Sequence, residues 1–278
     1  MTAFYRMAFA AGIMLPFVVL RSRRHRTGLT RATLLFPLLA GVLSGLDLGI
    51  WSASLAYTTA ANATIIGNSA PLWVALASLL FFGRRFSRDF WFGLGLALLG
   101  AGLVVGSDFI RHPRLGIGDL MALIASLFYA GFYLLTERGR RTIDALPHTW
   151  LVAVSASFCL LLVNLFLEYP FRGFSPQTWM VFLGAALVSQ TIGYISLTYS
   201  LGHLPASVVS PTMIGQPIMT TILAIPLLGE IPEPIQALGG IIALAGIFLV
   251  NRAHNRSNQN RLPVSPEIGL PGDDEIVV

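Results

Sequence analysis

Residues 54–104 and 200–250 are one segment written twice. An offset of 146 residues lays Ser54–Val104 on Ser200–Val250 without a gap, and eleven of the 51 positions are identical. Among these are Pro71/Pro217, Gly83/Gly229, Gly93/Gly239 and Gly100/Gly246. Apolar composition alone produces chance matches, but it does not hold a proline, three glycines and a turn at one fixed offset. The chain is therefore expected to fold as two copies of one helical unit.

The medium in which that unit folds follows from the charge content. Of 278 residues, 55% are hydrophobic and 11% charged, too few charges to cover a soluble domain of this size. Nine apolar runs are long enough to cross a bilayer or nearly so: Phe4–Leu20, Thr33–Tyr57, Ala60–Phe82, Phe90–Ser107, Gly118–Thr136, Thr149–Leu167, Thr178–Ser200, Ala206–Leu228 and Gln236–Val250. The fold class is an all-α polytopic membrane protein built from an inverted repeat of five-helix units, with nine transmembrane helices. The first run is followed, not preceded, by the basic block RSRRHR, so it reads as a membrane helix and not a signal peptide. Domain limits are 1–110 for the first copy and 116–250 for the second. The polar segment 251–278 is expected to be a disordered cytoplasmic tail.

All eighteen basic residues are arginines, which excludes lysine Schiff-base and P-loop chemistry. Their grouping in short blocks between apolar runs is a topology signal and argues against nucleic acid as a partner. Fourteen fall on one side (21, 23, 24, 26, 31, 84, 85, 88, 138, 140, 141, 252, 256 and 261) and four on the other (Arg6, Arg111, Arg114 and Arg172). The expected orientation puts the C-terminus in the cytoplasm, across a cytoplasmic (inner) membrane. The loop after Gly83 reads RRFSR and its counterpart after Gly229 reads EIPEP, so equivalent loops carry opposite charge. The copies should then insert in opposite directions, which requires an odd number of spans in each. The second copy has five spans beginning at Gly118. The counterpart of its first would precede Met1, so the first copy is expected to lack its first helix. Cys159 is the only cysteine, and the histidines (25, 112, 148, 203 and 254) fall at loops or helix ends. Neither a disulfide, a metal site nor any other cofactor is expected.

This arrangement resembles the EamA-type branch of the drug/metabolite transporter superfamily. The likeness is carried by SLAYTTAANA…SAPLW and SLGHLPAS…GQPI, by Gly229-Glu230 and by ALGGIIALAGIFLV, with FYRMAFAAG around Arg6 matching the second helix of that family. The resemblance implies ten helices in two inverted five-helix repeats around a central cavity, and export of amino acids, nucleobases or other small metabolites without ATP. It also implies that the fifth and tenth helices pack against each other at the periphery. The chain departs from the family at the absent first helix and at Arg84, where the family often has glutamate.

Candidate cavity residues come from polar side chains at membrane depth. Asp47, with Trp51, Ser54 and Thr58 at i+4, i+7 and i+11, lies on one face of its span, and no lysine or arginine at that depth pairs with it. A carboxylate so placed can carry a proton or meet a substrate amine; it can equally be a hydrogen-bonded structural residue. Ser126, Tyr129, Tyr133 and Glu137 form a second stripe, with Glu137 read as a boundary residue beside Arg138. Gln190 and Tyr194, with Thr198, form a third; Gln216, with Thr212 and Thr220, forms a fourth. The threonines are expected to be helix–helix hydrogen bonders. Asn68 and Trp73, near Pro71 in the first copy, are the rough counterparts of Gln190 and Gln216. Pro71 and Pro217 mark kinks at matching points of the two copies, the best sequence pointer to the centre of a transporter. Gly93, Gly95, Gly100, Gly102 and Gly106, with Gly239, Gly240 and Gly246, read as close-packing surfaces; Gly95 and Gly102 have a heptad spacing, and Gly102 and Gly106 form a G-x-x-x-G.

The reading that absorbs these features is a non-enzymatic secondary exporter of a small metabolite such as an amino acid, working by alternating access. Its partners are the metabolite, the lipid bilayer and protons as coupling ion; the oligomeric state is open between monomer and homodimer. Two alternatives stay open: a truncated, non-transporting membrane protein or scaffold, and a membrane-embedded enzyme. The second would need a nucleophile–base pair or metal ligands at depth, and none is visible.

Overall fold

The computed structural model describes residues 1–24, 31–105, 116–229 and 233–259. Glu230, Gly106, Arg26, Arg111, Arg114, His25, His112 and the tail beyond Gln259 lie outside the described residues. Among the described residues there is no strand, and nine helices are long and apolar enough to cross a membrane: α1 (Thr2–Arg21), α2 (Thr33–Ser54), α3 (Ala60–Phe82), α4 (Arg88–Val105), α5 (Ile117–Gly139), α6 (Ala145–Phe166), α7 (Pro176–Leu201), α8 (Ala206–Leu227) and α9 (Pro234–Ser257).

Small residues point inward and large apolar ones outward. Ala10, Ala40, Ala63, Ala97, Ala156 and Ala243 are fully buried, while Phe81 is 79% and Leu227 74% exposed. This is the packing expected where lipid is as apolar as leucine, so that helices associate through close backbone approach and interhelical hydrogen bonds. α2 packs on α5 and α6, α1 on α6 and α7, and α3 on α5 and α8, while α4 lies along α9. At one end of the bundle an aromatic cluster of Tyr5, Phe174, Trp179 and Phe182 pins the α6–α7 connection to α1, and the Tyr5 hydroxyl donates to the Phe171 carbonyl at 2.7 Å.

Three spans depart from a continuous α-helix, and the departures position the site. α3 consists of Ala60–Gly67 and Ala70–Phe82. Pro71 has no N–H for the Gly67 carbonyl and its ring crowds that carbonyl, so the helix restarts with the proline in its first turn. α8 consists of Ala206–Thr212 and Gly215–Leu228. Pro217 deprives the Met213 carbonyl in the same way, and the Gln216 N–H takes that acceptor at 3.0 Å instead. The two prolines therefore break their helices where kinks were expected. Both spans end on a left-handed glycine, Gly83 at φ 61° and Gly229 at φ 70°, a conformation that a Cβ disfavours. In α7, residues Ala186–Gly193 form a π-helical stretch, with the Thr191 hydroxyl bonded to the Ala186 carbonyl at 2.9 Å.

The α4–α9 seam is built by some of the expected glycines and not by others. Gly95 and Gly102 face open space, and Gly93 and Gly100 make the close approach. A Cβ on Gly93 would lie 2.9 Å from the Gly246 carbonyl oxygen, and one on Gly100 would lie 2.6 Å from that of Gly239. Both glycine pairs have the spacing of seven; the tertiary contact, not the spacing, decides which faces the partner. Gly100→Ala forces backbone against backbone and is expected to cost about 1–3 kcal/mol, whereas Gly102→Ala should be neutral or stabilising by up to about 1 kcal/mol. Thermal unfolding of the two variants in detergent checks this; equal midpoints would contradict the seam.

The end of α9 is a correction. The helix does not give way to a tail at Val250 but continues to Gln259. Ala253 is buried in the cluster with Phe90, and Arg256 pairs with Asp89 at 3.5 Å, so tertiary contacts hold a polar segment helical.

Candidate functional site

The breaks in α3 and α8 lie against the same stretch of α5. Between them is a cleft lined by Asn68, Pro71, Tyr129, Tyr133, Ser210 and Gln216, with about 20 Å³ of space, room for roughly one water. Of the expected cavity residues, Asn68, Tyr129, Tyr133 and Gln216 are thus brought together, with Pro71 forming part of the wall. The Tyr133 hydroxyl donates to that of Tyr129 at 3.0 Å. Among the described residues, Asn68 Nδ2 and Ser210 Oγ are buried without a partner. Unpaired buried polar atoms are costly, and they are the groups a polar ligand or water would satisfy.

Asp47 is buried in α2, makes no hydrogen bond or ion pair among the described residues, and lies within electrostatic range of Tyr129, Tyr133 and Tyr194. Tyr194 sits 3.4 Å from the Ser44 hydroxyl, one helical turn before Asp47. A carboxylate of α2, two phenols of α5 and one of α7 therefore act on one another electrostatically.

The tryptophans are used otherwise. Trp51 Nε1 donates to the Ala63 carbonyl at 3.3 Å, bracing the first segment of α3, and Trp73 Nε1 bonds the hydroxyls of Ser69 (3.1 Å) and Ser126 (3.0 Å). Gln190 lies in the π-helical stretch, 2% exposed, with its Oε1 unpaired. Thr212 and Thr220 bond the carbonyls four residues back on their own helix, at 3.0 Å each, and so do not bridge helices as expected.

Two functional candidates escaped the sequence reading. The sequence places Arg6 among the outer arginines and gives it no partner. Its guanidinium donates to Ser189 at 3.2 Å, beside Gln190, and is within electrostatic range of Tyr194, while its Nε is buried without a partner among the described residues. Glu137 is more than a boundary residue. Arg84 holds it with two hydrogen bonds, and it accepts the Ala206 N–H at 2.8 Å. One turn beyond Tyr133, it ties α5 to the turn after α3 and to the start of α8. The signal for it was the i+4 step from Tyr133.

The sequence pattern of the EamA-like transporter family matches residues 1–106 and 116–252. The chain belongs to the EamA-like transporter family. An uncharacterized transporter of Archaeoglobus fulgidus is 27% identical over 259 residues, covering 89% of this chain and 86% of its own. A pseudopaline exporter of Pseudomonas aeruginosa is 24% identical over 250 residues, covering 88% and 84%. A protein of Streptantibioticus cattleyicolor named "Probable terminal-alkyne amino-acid exporter" is 23% identical over 201 residues, covering 70% and 65%. A solved crystal structure superposes with a TM-score of 0.73 at 15% identity, over 92% of this chain and 88% of that one, which shows a shared fold. This EamA-like protein is thus a multi-pass membrane transporter.

Proposed function

We propose that this EamA-like transporter exports a small amphipathic metabolite, an amino acid or a related compound, by proton-coupled alternating access. The observation that carries the reading is the cleft at the two helix breaks, where unpaired Asn68 and Ser210 atoms meet two tyrosine hydroxyls, with Asp47 in electrostatic range. Aromatic faces with a few convergent polar groups suit a small molecule that is partly apolar. The named functions of the Pseudomonas and Streptantibioticus relatives support export and, in the second case, an amino-acid substrate.

Alternating access calls for two halves that move against each other around a fixed site. The reciprocal contacts of Gly93 with Gly246 and of Gly100 with Gly239 support such halves. The 146-residue offset equates Gly93 with Gly239 and Gly100 with Gly246, so each contact is the image of the other, as a two-fold axis through the α4–α9 seam would produce. Opposite charge in the equivalent loops favours an axis in the membrane plane, with the arginine-rich end in the cytoplasm.

Counterflow of radiolabelled amino acids in proteoliposomes tests the transport reading. Exchange above that of protein-free liposomes is expected for at least one amphipathic amino acid, and none across the panel would overturn it. Orientation is tested separately with fusions of a reporter active only in the cytoplasm: activity at Val278 and silence at Met1 is expected, and activity at both ends would refute the topology.

A further inference from the structure

A second cavity, of about 380 Å³, opens at the arginine-rich end, away from the cleft. Three connections meet there: the turn after α3, the turn between α7 and α8, and the last turns of α9. Its polar wall carries Arg84, Arg85, His203 and His254, and among the described residues no carboxylate lines it. Phe86 and Phe90, stacked with their centroids 4.3 Å apart, supply an apolar wall. Arg84 is shared with Glu137, whereas Arg85 is exposed.

The depth of this cavity is fixed by its neighbours. Phe81, three residues before Arg84, is among the most exposed apolar side chains of the molecule. Side chains of this kind face hydrocarbon, so the arginines begin where hydrocarbon ends, at the level of the headgroups. Guanidinium forks match the oxygens of a phosphate group, and a basic hollow between spans at that level is how headgroup phosphates are held.

We propose that this cavity binds a phosphate-bearing anion, either the phosphodiester headgroup of an anionic lipid or a soluble phosphate group. Binding here goes beyond the transport reading: the cavity shares no lining residue with the cleft, and it would stand if the cleft carried no substrate. The cavity exceeds the needs of inorganic phosphate alone, and its aromatic wall suits the glycerol backbone that follows a headgroup.

The test uses the full chain. In one arm, the protein in phosphatidylcholine nanodiscs receives phosphatidylglycerol, and retained lipid is counted by native mass spectrometry. In the other, detergent-solubilised protein is titrated with inorganic phosphate against chloride at matched ionic strength, with thermal unfolding as readout. The variants are Arg85→Gln and His203→Gln, both exposed and so expected to fold as the parent does, with Arg256→Gln as the control at the same end but outside the cavity. Losing one charge-assisted hydrogen bond should weaken binding roughly tenfold in Arg85→Gln, with Arg256→Gln unchanged. Phosphatidylglycerol retention without a phosphate effect assigns a lipid headgroup; a phosphate effect with the same variant pattern assigns a soluble phosphate. No binding in either arm, or equal loss in Arg85→Gln and Arg256→Gln, overturns the site.

Discussion

Asp47→Asn is expected to abolish accumulation driven by an imposed pH gradient while leaving insertion, purification and substrate counterflow intact. One coupled proton converts each pH unit of gradient into about tenfold accumulation, so a gradient of two units should drive roughly a hundredfold in the parent and none in the variant. The separation of the two readouts follows from what the substitution changes. Asn keeps the shape of the side chain, removes the only titratable oxygen pair and costs less than a carboxylate to hold at membrane depth. Asp47 is buried and without a hydrogen bond or ion pair among the described residues, so its replacement breaks no network that holds the fold. Counterflow needs no net driving force and can continue with a neutral residue, whereas pH-driven accumulation needs a group that takes up a proton on one side and releases it on the other. Unchanged pH-driven accumulation would remove Asp47 from the coupling step. Joint loss of counterflow and accumulation, with normal folding, would instead make it a substrate contact.

The parts of this architecture legible in the sequence are those written in local patterns. Apolar runs of membrane length announce the spans, because lipid imposes one length and one polarity on each. Pro71 and Pro217 announce the breaks, because a missing N–H acts on the carbonyl four residues away whatever surrounds it. What was not legible depends on how a helix is rotated or on a partner far along the chain. Gly93/Gly100 and Gly95/Gly102 have identical spacing, and only the contact with α9 tells the packed face from the lipid face. The segment after Val250 reads as a polar tail, yet Ala253 packs beside Phe90, more than 160 residues earlier, and the helix continues. Arg6 near the end of a span looks like any interfacial arginine. Its contact with Ser189 appears only with the π-helical stretch of α7 against which it lies. In the cleft, Tyr129, Tyr133, Asn68 and Gln216 were recognisable as polar residues at depth. The convergence of Ser210 with them was not, since one serine in an apolar helix commonly bonds its own backbone.

Glu137 shows the same dependence on a distant partner, and its substitution is expected to open the arginine-rich end of the cleft. Its carboxylate is 10% exposed and holds the Arg84 guanidinium, 27% exposed, through two hydrogen bonds, with the Ala206 N–H as a third donor and Arg141 at 3.8 Å on the outside. Three elements are joined by one side chain: α5, the turn after α3 and the first residue of α8. Charge-assisted hydrogen bonds contribute about 1.5–3 kcal/mol each when desolvated, and the partial exposure of Arg84 lowers that figure. Glu137→Gln keeps the size and one acceptor but loses the charge, so the closed arrangement should weaken by about 1.5–3 kcal/mol in total. That corresponds to roughly a ten- to hundredfold rise in the open population. Ser210, buried in the cleft, supplies the reporter position. In a background with Cys159→Ala, which removes the only native cysteine, Ser210→Cys is labelled by a membrane-impermeant maleimide added on the arginine-rich side. The labelling rate should rise by that factor when Glu137→Gln is introduced, while labelling from the opposite side stays level or falls. Arg84→Gln should reproduce the effect, and the double variant should add little to either single one, because both changes remove the same contact. Equal labelling with and without Glu137→Gln would mean that the cleft opens without releasing this contact, and Glu137 would then be a structural brace between α5 and α8.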